Sequence, residues 1–149
     1  MGEFLEVTHD KFIFRVKEGY WYSRDDFWVN PEGSAAVVGI TDFLQKARGD
    51  VAFLETVEPG TAAAAGDELG TIETIKATFG IVCPVSGRVD KVNSELEASP
   101  FLINQDPYGT GWIYEVGLSN WDVDKRALLS APEYLELLKE KIAREMEKK

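Results

Sequence analysis

From about residue 11 to residue 116 the chain is a succession of short β-branched and aromatic runs, broken at close intervals by Gly, Pro, Asn and Asp. Helical period is almost absent there, and this alternation of brief strands with turn residues is the pattern of an all-β sandwich or barrel. Phe27-Trp28-Val29, the turn Asn30-Pro31-Glu32-Gly33 and residues 35–40 read as one hairpin, with proline presetting φ in the turn. Thr41 then caps a predicted short helix over residues 42–48, with Asp42 in its first turn, Arg48 in its last and Gly49 at its stop. Further strands are expected over residues 50–54, 68–75, 81–83, 88–92 and 112–116, and turns at Pro59-Gly60, Gly66-Asp67 and Pro84-Val85-Ser86-Gly87. Residues 93–111 hold Pro100, Asp106-Pro107 and two glycines and read as mostly loop.

After Asp122 the period changes. Ser130-Ala131-Pro132-Glu133 is a capping box with proline in the first turn, and Leu135, Leu138, Ile142 and Met146 recur at three- and four-residue spacing. This predicts an amphipathic C-terminal helix over 130–149 that packs across the β body. Residues 1–19 are an N-terminal extension rich in Phe4, Phe12 and Phe14, and a length of 149 residues predicts one domain over 1–149. The 16 Lys+Arg against 26 Asp+Glu leave a net charge of −10, which removes the basic surface that nucleic acid requires. No stretch reaches the roughly 20 apolar residues of a membrane helix. Acidic residues stand where a signal peptide would be apolar, and Glu6 stands where a myristoylation signal needs Ser or Thr. A soluble, cytoplasmic, monomeric protein is expected.

Catalytic chemistry has little to work with. The single cysteine, Cys83, has no disulfide partner, and with the single histidine, His9, it cannot make a zinc cluster or a nucleophile-base pair beyond those two residues. Cys83, between Val82 and Pro84, reads as core, and His9, among Thr8, Asp10 and Lys11, reads as a solvated side chain. No metal and no enzymatic activity are expected. One residue stands out. Lys76 falls where two strand-like runs meet, with Ala77 and Thr78 to make the turn, and it is the only lysine at a predicted hairpin tip with Glu73 and Gly87 to frame it. Alone, a lysine in a turn is ordinarily just solvated charge. Its neighbourhood is not ordinary: Glu73 lies three residues before it and the Pro84-Val85-Ser86-Gly87 turn follows.

Several stretches together resemble the glycine cleavage H-protein family, lipoyl carriers. They are Val38-Gly39-Ile40-Thr41-Asp42-Phe43, Gly49-Asp50-Val51, Ala65-Gly66-Asp67-Glu68 and Glu73-Thr74-Ile75-Lys76-Ala77. Pro84-Val85-Ser86-Gly87 with Val92-Asn93, and Asn104-Gln105-Asp106-Pro107-Tyr108-Gly109-Thr110-Gly111-Trp112, complete the set in the family's order and spacing. The resemblance implies a mostly β, barrel-sandwich hybrid fold with lipoate amide-linked to Lys76, and a carrier that does no catalysis itself. It also implies a cofactor site framed by Glu73 and Gly87, with Glu73 either read by the lipoylating enzyme or simply an exposed strand residue. Biotin carriers share such a hairpin but flank the lysine with methionines, where this chain has Ile75 and Ala77. Lipoate is the implied cofactor.

Two departures from the family pattern bear on the partners. The family's Glu-His-Glu-Trp run corresponds to Asp25-Asp26-Phe27-Trp28, and the polar residues expected after the lysine turn are replaced by Phe79-Gly80-Ile81-Val82-Cys83. The implied partners are a lipoylating enzyme and dihydrolipoyl dehydrogenase, together with glycine decarboxylase and aminomethyltransferase. The alternative is a heterodisulfide-reductase-like complex of sulfur oxidation, served by related lipoate-binding proteins that carry sulfur rather than an aminomethyl group. An unmodified interaction module ranks last, because nothing would preserve Glu73 and Lys76 in it.

Overall fold

The structure, a computed structural model, describes residues 3–146, with Met146 described by its backbone alone. The readings made above for Met1-Gly2, the Met146 side chain and residues 147–149 lie outside the described residues. The chain opens with β1 (Phe4–His9) and β2 (Phe12–Lys17), then β3 (Trp21–Tyr22), β4 (Phe27–Glu32), β5 (Ala35–Ile40) and helix α1 (Asp42–Arg48). There follow β6 (Val51–Thr56), β7 (Ala62–Ala63), β8 (Glu68–Thr74), β9 (Thr78–Val82) and β10 (Gly87–Val92). Two short helices, α2 (Glu95–Ala98) and α3 (Leu102–Gln105), precede β11 (Tyr114–Leu118), and α4 (Trp121–Asp124) and α5 (Ala131–Met146) end the chain.

The fold is mostly β, as expected, and its sheets are open. A six-stranded sheet in the order β3-β4-β5-β11-β10-β7 faces a three-stranded sheet β6-β8-β9, and β1 and β2 pair alone. Val29, Val38, Ile40, Ile72, Val89 and Val116, all 1 % exposed or less, fill the space between the layers. At roughly 2 kcal/mol for each fully buried aliphatic side chain, this apolar packing holds the layers together. A second cluster, built on Phe14, Tyr22, Trp28, Phe43, Tyr134 and Leu138, joins β1–β2, α1 and α5 to the outer face.

Several expectations are corrected. From the sequence no individual strands are assigned within residues 1–19, where β1 and β2 form an antiparallel hairpin in register from Phe4↔Lys17 to His9↔Phe12. Its alternation was visible in Leu5-x-Val7 and Phe12-x-Phe14-x-Val16, of which Phe14 and Val16 are fully buried. Pro31 lies within β4, opposite Ala36, because β3 pairs only as far as Val29 and leaves that side of the strand without a ladder to donate to. Residues 93–111 contain α2 and α3, and the closing strand starts two residues later than predicted, at Tyr114. Helix α1 matches its prediction at both ends: the Thr41 side chain accepts from Leu44 N at 3.2 Å, and Gly49 stops the helix at φ 94°. The capping box of α5 forms as well, Ser130 N donating to Glu133 Oε1 at 2.9 Å.

Candidate functional site

Strands β8 and β9 pair antiparallel with Glu73 opposite Thr78, so the chain turns through Thr74, Ile75, Lys76 and Ala77. The central residues are Ile75 and Lys76, not Ala77 and Thr78 as predicted. Lys76 and Glu73 are exposed, whereas Thr74 between them is buried. Thr74 N donates to Ala77 O at 2.8 Å, and Ile75 N donates to Asp50 O at 3.1 Å, which ties the tip to the segment leaving α1. Gly49 runs beside the lysine stem, where a Cβ would be in ordinary contact with Lys76 Cγ and Cδ at 3.5 Å, so what calls for glycine there is its φ of 94°. The segment beneath is held in turn by Asn104 of α3, whose Oδ1 accepts from Val51 N at 2.9 Å and whose Nδ2 donates to Gly49 O at 3.2 Å. A swinging covalent arm needs an exposed amine on a fixed base, and Lys76 meets both demands.

The surroundings of the tip are apolar and acidic. Ile75 is 74 % exposed, and Phe53, which pairs with Glu73, is about half exposed. Asp50, Glu55, Glu73 and Glu97 are exposed on the neighbouring elements. The structure brings Lys76 and Glu73 together but places Gly87 elsewhere. Gly87 begins β10, beyond the Glu68↔Val82 end of the hairpin that is opposite the tip. Its requirement is packing, since a Cβ there would sit 1.8 Å from Gly117 O. The framing by Gly87 expected from the sequence is therefore a sequence proximity, not a spatial one.

A second lysine, Lys11, stands at a hairpin tip without that framing. Lys11 sits with Asp10 in the β1–β2 turn, which the sequence reading did not resolve because it assigned that segment no strands. Cys83 is core as expected, 1 % exposed, and burial pushes its thiol up to about 11. His9 is half-buried beside Asp10, 3.6 Å away, rather than fully solvated. Among the described residues no group of three or more His, Cys, Asp or Glu is arranged to hold a metal.

The model of the family described as "Glycine cleavage H-protein" matches residues 20–141. The chain belongs to the glycine cleavage H-protein family. It is 44 % identical over 119 residues to the glycine cleavage system H protein of Carboxydothermus hydrogenoformans, covering 80 % of this chain and 91 % of the relative. A probable glycine cleavage system H protein of Pyrococcus horikoshii is 42 % identical over 127 residues, 85 % of this chain and 94 % of that protein. The crystal structure of an H protein from Mycobacterium marinum superposes with a TM-score of 0.69 at 31 % identity, over 79 % of this chain and 94 % of the other. Members of the family are non-catalytic carriers with covalently attached lipoate. The β1–β2 hairpin, with Lys11 at its turn, lies outside the matched residues.

Both departures from the family pattern have packing explanations. Asp26, in place of the family's histidine, is 6 % exposed and adopts φ 73°. Its carboxylate accepts from Tyr134 OH at 2.7 Å and from Lys141 Nζ at 2.8 Å, so it anchors α5 and is withdrawn from any docking face. In the run after the lysine turn, Ile81 and Cys83 are buried and Phe79 packs against the same core. Its apolar character belongs to the interior.

Proposed function

We propose that lipoate is amide-linked to Lys76 and that the loaded arm serves glycine decarboxylase, aminomethyltransferase and dihydrolipoyl dehydrogenase in turn, after attachment by a lipoylating enzyme. The observation that carries this reading is an exposed lysine on a turn fastened to the body, in a member of a lipoyl-carrier family. When bound, the group supplies the dithiolane that undergoes thiol–disulfide exchange in the partners' sites. The protein's own residues do the rest. Lys76 provides the attachment point and reach, Gly49 supplies the positive φ of the segment beside its stem, and Glu73 offers the lipoylating enzyme a carboxylate beside the tip. Cys83, buried and protonated, stays out of the exchange chemistry.

The carrier works as a cytoplasmic monomer in this reading, and the heterodisulfide-reductase-like partner loses its motive. That alternative rested on Asp25-Asp26 and on residues 79–83, and the buried Asp26 pair and the inward Ile81 and Cys83 account for both as packing.

Intact-mass measurement after co-expression with a lipoate ligase tests the attachment site. One lipoyl addition is expected in the wild type and in Lys11→Arg, and none in Lys76→Arg. Modification that survives Lys76→Arg refutes the assignment. Reconstitution with glycine decarboxylase and aminomethyltransferase tests the cargo: the lipoylated protein should support both steps, and failure of both with a fully lipoylated carrier would restore the sulfur-carrying alternative.

A further inference from the structure

The hairpin bearing Lys76 closes in an unusual way. A two-residue hairpin turn ordinarily takes positive φ at one or both central residues, to match the twist of its strands. Here those residues are Ile75 and Lys76, and neither has positive φ. A β-branched isoleucine strongly resists that region. The N–H of Ala77 that faces back across the turn goes instead to the side chain of Thr74, donating to Oγ1 at 3.0 Å. Lys76 N donates to the same oxygen at 3.1 Å. The hydroxyl has one proton and two carbonyl acceptors in reach, Arg48 O at 2.7 Å in the last turn of α1 and Ala77 O at 3.2 Å, and the shorter contact is the one to α1. One donor and two acceptor sites are all that a hydroxyl offers, so Thr74 is fully engaged, and at 6 % exposure water scarcely competes for it.

The consequence is mechanical. The backbone of Lys76 is joined to the end of α1 through one oxygen atom, and that end is itself held by Asn104, which donates to Gly49 O and to Gln45 Oε1. Resting on the assignment of Lys76 as the attachment site, we propose that Thr74 is its positioning residue. Its hydroxyl fixes the direction in which the lysine leaves the hairpin, so that the lipoylating enzyme meets one presentation of the amine rather than a fluctuating turn. Thr74 touches neither cofactor nor partner and acts through the turn.

Thr74→Val keeps the β-branched shape and removes the hydroxyl, and Thr74→Ser keeps the hydroxyl. Both variants, as the full apo chain, are to be lipoylated by a lipoate ligase and followed by mass. Backbone ¹⁵N order parameters are measured alongside for residues 75–77. Thr74→Val should lose roughly tenfold in kcat/KM, and the order parameters of Lys76 and Ala77 should fall. Thr74→Ser should match the wild type in both. A role in stability alone would lower the unfolding midpoint and leave rate and order parameters unchanged at temperatures where the chain is folded, and that result overturns the proposal. Should Thr74→Val fail to fold, hydrogen exchange in the wild type decides, because Lys76 and Ala77 amides exchanging at the rate of a free chain would mean that the hydroxyl does not hold them. Wild-type protein left unlipoylated at Lys76 refutes the underlying assignment as well, whereas equal rates in wild type and Thr74→Val refute the positioning role alone.

Discussion

Side chains at the two ends of the Lys76 hairpin differ sharply in what they expose. Glu73 is exposed on the face shared with Phe53, and its carboxylate has little to lose on truncation. Glu73→Ala should change the unfolding free energy by less than about 0.5 kcal/mol while slowing lipoylation. Unchanged labelling kinetics would reduce Glu73 to an ordinary strand residue. Cys83 presents the opposite case. With its thiol at about 11, about one molecule in a thousand carries a thiolate at pH 8, and the sulfur is shielded besides. A thiol-labelling reagent should therefore leave the folded protein untouched and react with one equivalent in denaturant. Rapid native labelling would return this thiol to the list of groups able to exchange with the arm.

Asp26 carries a pH signature. Burial raises its carboxyl above the ordinary 3.8, and hydrogen bonds from Lys141 and Tyr134 offset only part of that rise. The folded state thus keeps its proton to a higher pH than the unfolded chain, and stability falls as pH rises from 3.8 through the folded value. Measured against Asp26→Asn, which does not titrate, the wild type should lose stability across that window and run parallel to the variant above it. A slope of the opposite sign would show that Lys141 more than compensates for desolvation. Removing the cation at neutral pH leaves a buried carboxylate without its charge partner, so Lys141→Met should cost about 3 kcal/mol by denaturant titration.

At the scale of elements, α5 and the β1–β2 hairpin act as one brace. The outward backbone groups of β2 are taken up by side chains of the body. Arg15 N donates to Asp42 Oδ2 at 2.9 Å, Tyr108 OH to Arg15 O at 2.7 Å and Tyr22 OH to Lys17 O at 2.5 Å. An edge strand is thereby blunted without a further strand. The hairpin's inner face meets α5 through Phe14 and Val16, while Tyr22 stacks on Tyr134 with ring centroids 4.6 Å apart. Phe14→Ala should cost about 3 to 4 kcal/mol in global stability by denaturant titration, and because Phe14 reaches the tip only through α1, which packs against both, the folded variant should still be lipoylated at Lys76. Thr41 serves two elements, capping α1 and meeting Tyr134 OH at 3.0 Å, so Thr41→Ala should exceed the roughly 1 kcal/mol of an ordinary cap.

For the whole molecule the relevant quantities are its charge and how its sides differ. A net charge of −10 surrounds a tip with exposed Ile75 and, on the adjoining strand, exposed Phe53, and the Lys76 cation would become neutral on amide formation. Such a face suits partners that present a cationic rim. Raising ionic strength from about 0.02 M to about 0.3 M should increase the KM of dihydrolipoyl dehydrogenase or glycine decarboxylase for the lipoylated carrier several-fold. Free lipoamide, the control substrate, should show no comparable change. Equal salt dependence for both would mean that the surface charge serves solubility alone. No helix among the described residues is long and apolar enough to cross a membrane.

Local signals in the sequence determined a great deal. Thr41 and Gly49 marked both ends of α1, the Ser130–Glu133 box marked the start of α5, and turn residues marked the strands of a mostly β body, because caps and turns are satisfied by atoms within four residues of one another. Lys76 at a hairpin tip, with Glu73 beside it, was legible for the same reason. What only the tertiary structure decided depends on groups distant in the chain. Gly87 looked like part of the lysine's frame and proved to be a close approach to Gly117, 30 positions away, since antiparallel pairing sends the two ends of a hairpin in opposite directions. Asp26 looked like a change in a docking face and proved to be the buried partner of Lys141, |i−j| = 115. Thr74 drew no attention because a threonine before a turn is unremarkable until α1 arrives to accept its proton. Neither the Ser94 nor the Phe101 side chain caps the short helix, α2 or α3, that follows it. Their buried Leu96 and Ile103 join the core between the layers, and Asn104 holds the strand leaving α1, contacts that no local pattern records.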